Sequence, residues 1–98
     1  MTPEAAKSLI LRFIEEDESG IWEWDDFISV GHKDAEVEAL QLAVFQLELL
    51  YPPVRSGWIS PKGIEQLRLL AIGELAPDFW KDSAKREEMA AEGRAEHE

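Results

Sequence analysis

The sequence predicts an all-α fold, a compact bundle of about four helices with a polar C-terminal tail, and three observations lead to it. Apolar residues recur at intervals of three and four in four separate stretches, the period of a helix with one buried face. Residues suited to helix starts, Thr2-Pro3, Asp34 and Ser60-Pro61, stand ahead of three of these stretches, while Gly20, Gly31, Pro52-Pro53 and Pro77 close all four. The composition, 45% hydrophobic with four tryptophans, is that of a globular chain rather than a disordered one. Its 98 residues make a single domain near the lower end of what buries a core unaided. Cysteine is absent, so no disulfide can help, and His32 and His97 are too few and too far apart for a zinc site.

The first helix is expected over about residues 3–16, with Ala6, Leu9, Ile10, Phe13 and Ile14 on its buried face, Thr2 as cap and Pro3 in its first turn. Glu15, Glu16, Asp17 and Glu18 crowd its end, where the helix dipole disfavours negative charge, and Ser19-Gly20 breaks it. A short second helix follows from the spacing of Ile21, Trp24, Phe27 and Ile28. Trp24 belongs to the core by that spacing, and Trp22 falls on the other face with Glu23, Asp25 and Asp26. Asp34 caps a third helix in which Val37, Leu40, Val44, Leu47 and Tyr51 repeat at three and four. Leu42, Phe45, Leu49 and Leu50 fill its flanks, so this helix is expected to be central and enclosed. Trp58 then lies in an aperiodic loop, either as a lid over the core or exposed. Ser60-Pro61 opens the fourth helix, with Ile64, Leu67, Leu70 and Ala71 buried, Leu75 extending that face and Gly73 loosening its last turns. Asp78 can cap a further helix that sets Phe79 and Trp80 on the core. The helical domain is thus placed at 1–80, and 81–98, whose only sizeable apolar residue is Met89, is read as a polar tail, either helical and frayed or disordered.

A net charge of −11 argues against nucleic acid as a direct partner and against anionic membranes, because phosphate binding needs a basic footprint. No stretch approaches the roughly 20 apolar residues of a membrane span, and the start lacks the features of a secretory signal. The expected location is therefore the cytoplasm. The acidity is concentrated: residues 15–38 hold ten acids against one base, Lys33, interleaved with Trp22, Trp24 and Phe27.

Catalysis is not expected. Asp25 and Asp26 are adjacent, so on a helix they point about 100° apart and cannot share a proton. His32 has no obvious partner, no glycine-rich phosphate loop is present, and no cofactor is implied. A divalent cation finds a partial match in the twelve-residue register of a calcium loop, with Glu15, Asp17, Ser19, Glu23 and Asp26 at the first, third, fifth, ninth and twelfth positions and Gly20 at the sixth. That register starts on Glu rather than Asp, ends on Asp rather than Glu, and places Trp22 where a small aliphatic residue belongs. The reading that fits more of the residues is recognition of a basic protein. Carboxylates speed the encounter with a positive partner, and aromatic anchors prolong it. The residues assigned to such a surface are Glu15, Glu16, Asp17, Glu18, Trp22, Glu23, Asp25, Asp26 and Trp58.

The segment Ser60-Pro61-Lys62-Gly63-Ile64 resembles the Ser-Pro-x-Gly-Ile that opens the final helix of the immunity proteins of colicin-type nucleases, and Tyr51-Pro52 is similar to that family's Tyr-Tyr-Pro. Size, acidity and helical build are similar as well. The resemblance covers about a fifth of the chain, and the adjacent tyrosine pair of that family is missing. It implies an immunity or antitoxin-type inhibitor of a basic protein such as a nuclease toxin. The block Trp22-Glu23-Trp24-Asp25-Asp26-Phe27 also looks like one in small uncharacterised bacterial proteins, which implies no particular activity. Two other functions stand beside the inhibitor: a structural or regulatory module that forms a homodimer through Trp22, Trp58 or the tail, and a divalent-metal-binding helix-loop-helix.

Overall fold

The computed structural model describes residues 1–15, 21–29, 31–54 and 59–97, and among these every regular element is helical. The first helix, α1 (Pro3–Ile14), starts as its sequence dictates. Thr2 Oγ1 accepts the Ala5 N–H at 3.1 Å, and Pro3 occupies the first turn, where a missing amide costs nothing. Next comes α2 (Ile21–Ser29). In α3 (Ala35–Leu50) the Asp34 carboxylate accepts from Glu36 N at 2.8 Å and Val37 N at 3.2 Å. The fourth helix, α4 (Pro61–Ala71), is capped by Ser60 Oγ, which accepts from Gly63 N at 3.2 Å.

The core joins one face of each helix. Leu9 and Ile10 of α1, Trp24 and Phe27 of α2, Val37, Leu40, Val44 and Leu47 of α3, Tyr51 just beyond it, and Leu67 and Leu70 of α4 are all buried. These are the faces that the three- and four-residue spacing marks. α1 packs along α4, and α3 touches α1, α4 and the C-terminal elements, so α3 is central on its inner side. Its outer side is not enclosed: Leu42 is 43% exposed and Leu49 74%. The reason is geometric, since a bundle this small covers a helix from one side only.

The end of α4 also differs from expectation. Gly73 adopts a φ of +85°, the Gly73 N–H donates to Leu70 O and the Glu74 N–H to Leu69 O. This is a left-handed cap that terminates the helix and satisfies its last carbonyls, so Gly73 ends α4 rather than loosening it. Leu75 still reaches the core, but from the turn.

Asp78 does not cap a helix through its side chain; it precedes a single 3₁₀ turn, Phe79–Lys81, that seats Phe79 in the core. The cap belongs to Asp82, whose carboxylate accepts from Ala84 N at 3.0 Å and Lys85 N at 3.2 Å and opens α5 (Ser83–Ala95). Of the two states the tail composition left open, the structure has the helix, and it is docked on α3, α4 and the 3₁₀ turn. Met89 supplies the apolar anchor. Gly93 allows the closest approach, because a Cβ there would overlap the Leu50 carbonyl oxygen.

Polar contacts complete the attachment of α5. Ser60 Oγ donates to Glu96 Oε1 at 2.5 Å, the Lys62 N–H donates to Glu96 Oε2 at 3.2 Å, and Tyr51 Oη donates to Glu92 Oε1 at 3.2 Å. The last turn of α5 thereby places a carboxylate on the N-terminus of α4, where the helix dipole favours it. With α5 docked, the radius of gyration is 13.0 Å, about what a packed domain of this length requires. No helix among the described residues is long and apolar enough to cross a membrane.

Tyr51 reports on this attachment. Burial raises its phenol pKa above the ordinary 10.0, and the negative charge and hydrogen bond of Glu92, then the charges of Glu96 and Glu88, raise it further. The folded state therefore holds the phenolic proton more tightly than the unfolded chain. The stabilisation is complete below pH 10.0 and is lost as the pH rises from there towards the folded value. The expected result is an unfolding free energy that falls more steeply above about pH 10 for the native chain than for Tyr51→Phe, by up to about 1.4 kcal/mol per pH unit. Tyr51 is the sole tyrosine, so phenolate absorbance followed during the titration reads this group alone. Equal slopes for the two proteins would contradict the assignment.

Candidate functional site

The face assigned to partner binding is built on α2, and its geometry begins with the side that is not exposed. Trp24 stacks on Phe13 of α1 with ring centroids 4.1 Å apart and planes 5° from parallel. Trp24 also meets Phe27, at 5.7 Å and tilted, and Phe27 in turn meets the His32 ring at 5.7 Å. Four rings thus fasten a nine-residue helix to the body. Short helices have little stability of their own, so this packing is what holds α2 in shape.

The C-terminal end of α2 is tied by side chains. The Phe27 carbonyl accepts from Gln41 Nε2 at 3.0 Å and lies 2.9 Å from His32 Nε2. A carbonyl can only accept, so that histidine nitrogen carries the hydrogen. His32 is thereby a structural donor to the end of a helix.

Opposite this anchored side lie Trp22, Asp25, Asp26 and Ser29, at positions i, i+3, i+4 and i+7 of one helical face. All four are exposed, and Trp22 is 81% exposed, the largest value of any bulky apolar residue described. Trp22 and Trp24 therefore divide as their spacing predicts, one outward and one in the core. The result is an indole flanked by two carboxylates on a rigid support.

Other residues of the predicted surface are distributed differently. Glu23 turns towards α1 and forms an ion pair with Arg12 at 2.8 Å. Both side chains are partly in solvent, so the pair contributes at most about 1 kcal/mol, but it spends the charge of Glu23 within the molecule. Glu15 is exposed at the end of α1, where its N–H donates to Leu11 O. Glu16, Asp17, Glu18 and Trp58 lie outside the described residues. So do Asp17 and Ser19 of the calcium register. Of its other members Glu23 is engaged by Arg12, and among the described residues no three His, Cys, Asp or Glu side chains gather as a metal ligand set.

Two features of the surface escaped sequence reasoning. Ser29 completes the α2 face at the seventh position and could have been found by carrying the spacing of Trp22, Asp25 and Asp26 on to the next position of that face. Leu42 and Leu49 of α3 face outward, where the sequence pattern predicts the flanks of an enclosed helix. An open depression lies elsewhere, between the end of α4 and the start of α5, with Glu74, Asp78, Lys81 and Lys85 on its rim. It mixes both charges and brings no nucleophile beside a base.

In comparisons with protein-family models, with curated proteins and with solved structures, nothing matches this chain.

Proposed function

We propose that the chain acts by binding a basic protein, with the outward face of α2 as the docking surface. The observation that carries this reading is the exposure of Trp22 beside Asp25 and Asp26 on a helix whose opposite face is anchored by aromatic packing. Leaving an indole in water forgoes about 1.5–3 kcal/mol of burial, and tryptophan is among the residues that dominate binding energies when a partner covers them. The adjacent carboxylates add long-range attraction for positive charge, in a chain whose net charge is −11.

The sharpest form of the proposal is an immunity or antitoxin-type inhibitor of a nuclease or similar toxin, whose substrate cleft must be positive. Carboxylates presented on a helix can occupy such a cleft where phosphates would lie. Support comes from the acidic face and not from the Ser60-Pro61-Lys62-Gly63-Ile64 motif, since each of its distinctive residues has a local role. Ser60 caps the helix, Pro61 fills its first turn, and Gly63 lets α4 pass so close to Tyr51 that a Cβ would stand 2.7 Å from that residue's Cβ.

Replacing Glu16, Asp17, Asp25 and Asp26 by their neutral amides is expected to slow association with the partner at low salt by about tenfold or more, with the melting temperature little changed. Stopped-flow association kinetics across an ionic-strength series would measure it. An association rate equal to that of the native chain would exclude the acidic face as the steering element.

A further inference from the structure

α3 carries two apolar seams. The inner one, Val37, Leu40, Val44, Leu47 and then Tyr51, is buried. The outer one runs through Leu42, Phe45 and Leu49, at intervals of three and four that extend back through Glu38 to Ala35 in the same register. This is the repeat of a helix that pairs with another helix. A single exposed leucine is ordinary on a protein surface. Two exposed leucines in register with a half-buried phenylalanine between them form a continuous apolar strip.

We propose that this strip is a dimer interface, occupied by α3 of a second copy of the chain in antiparallel orientation. Charge selects the occupant. Within α3, Ala39 and Gln46 beside the strip are uncharged, and the helix's own carboxylates next to it are Glu38 at one end and Glu48 on one flank. A basic partner finds far less to pair with here than on the α2 face. A second copy meets little local repulsion, provided the two helices run in opposite directions. A two-fold axis near Phe45 sets Leu42 of one copy against Leu49 of the other and Phe45 against Phe45. It also carries each Glu38 to the Pro52 end of the second helix, whereas a parallel pair would set Glu38 against Glu38. An isologous contact of this kind closes on itself and stops at two copies.

Size and charge determine how the dimer behaves. Sixteen residues give a seam of about 24 Å, and one helix pair covers less than the roughly 1,200 Å² of a standard interface. Association is therefore weak. Each copy carries a net charge of −11, and long-range repulsion opposes the encounter until salt screens it. The dimer strengthens as salt rises, the reverse of what the α2 face does with a basic partner, and the two surfaces stand or fall independently.

Sedimentation equilibrium of the full chain tests the proposal, from about 5 to about 500 μM and at about 0.05 and 0.5 M sodium chloride. The native protein is expected to pass from monomer to dimer, with an apparent dissociation constant at least about threefold lower at the higher salt. Leu49→Glu changes an exposed helix position, so the variant is expected to keep the native melting temperature at low concentration and to remain a monomer throughout. Trp22→Ala is expected to dimerise as the native chain does. A native protein that is monomeric under all these conditions would overturn the proposal, as would a Leu49→Glu variant that dimerises normally or a Trp22→Ala variant that does not.

Discussion

Gly93→Leu is expected to detach α5 and to destabilise the protein by about 3 kcal/mol or more, a fall in melting temperature of roughly 12 °C or more for a domain of this size. The cause is steric. Even a Cβ at this position overlaps the Leu50 carbonyl oxygen, which is backbone at the end of α3 and cannot swing aside as a side chain would. α5 must lift, and the burial of Met89 goes with it, worth about 1.5–3 kcal/mol. The bonds of Glu96 to Ser60 and Lys62 are lost as well. Gly93→Ala gives a test of sign. Helix propensity alone predicts that alanine stabilises by about 1 kcal/mol, while overpacking costs about 1–3 kcal/mol, so the structure predicts no gain and most often a loss. Urea unfolding of the two variants measures both, and a stabilised Gly93→Ala would show that α5 does not lie where it is described.

Phe27→Ala is expected to cost about 3–5 kcal/mol, and its consequence reaches the face proposed for binding. Phe27 is fully buried, lies between the rings of Trp24 and His32, and its carbonyl receives Gln41 and His32. Removing the ring leaves a cavity beneath α2, a helix too short to persist unpacked. Trp22, Asp25 and Asp26 touch none of that cavity, yet they lose their fixed arrangement when the helix beneath them loosens. Partner binding should therefore weaken together with stability, whereas Trp22→Ala should weaken binding alone. Thermal unfolding and binding measured on the same preparations separate the two, and a Phe27→Ala variant of native stability would contradict the role given to the aromatic chain.

Much of this architecture is legible in the residues because local and tertiary preferences agree. Thr2-Pro3, Asp34 and Ser60-Pro61 cap the helices they precede, and the apolar spacing marks the faces that become the core. Trp22 and Trp24 separate for the same reason, because the spacing with Phe27 and Ile28 leaves a single apolar face on α2. The outer seam of α3 is not legible, because a helix that is apolar on both sides carries no periodic sign of which side its own chain covers. α5 is hidden differently. It is held by one methionine, by the close fit at Gly93 and by carboxylates that find Tyr51, Ser60 and Lys62 more than thirty residues away along the chain. Contacts of that kind leave no apolar period. Glu23 shows the same limit within the site, since its pairing with Arg12 depends on how α1 and α2 cross.

Trp22, Asp25 and Asp26 are the surface proposed to meet a basic protein, and affinity capture from the source cell's lysate on two parallel columns puts that proposal to the test. One carries the native chain and the other the triple variant Trp22→Ala, Asp25→Asn, Asp26→Asn, both loaded at low salt and developed with a salt gradient. The expected result is a defined basic protein that is held by the native column, elutes with rising salt, passes through the variant column and binds the native chain again after purification. Identical elution profiles from the two columns, or retention of nothing specific by the native chain, would contradict it.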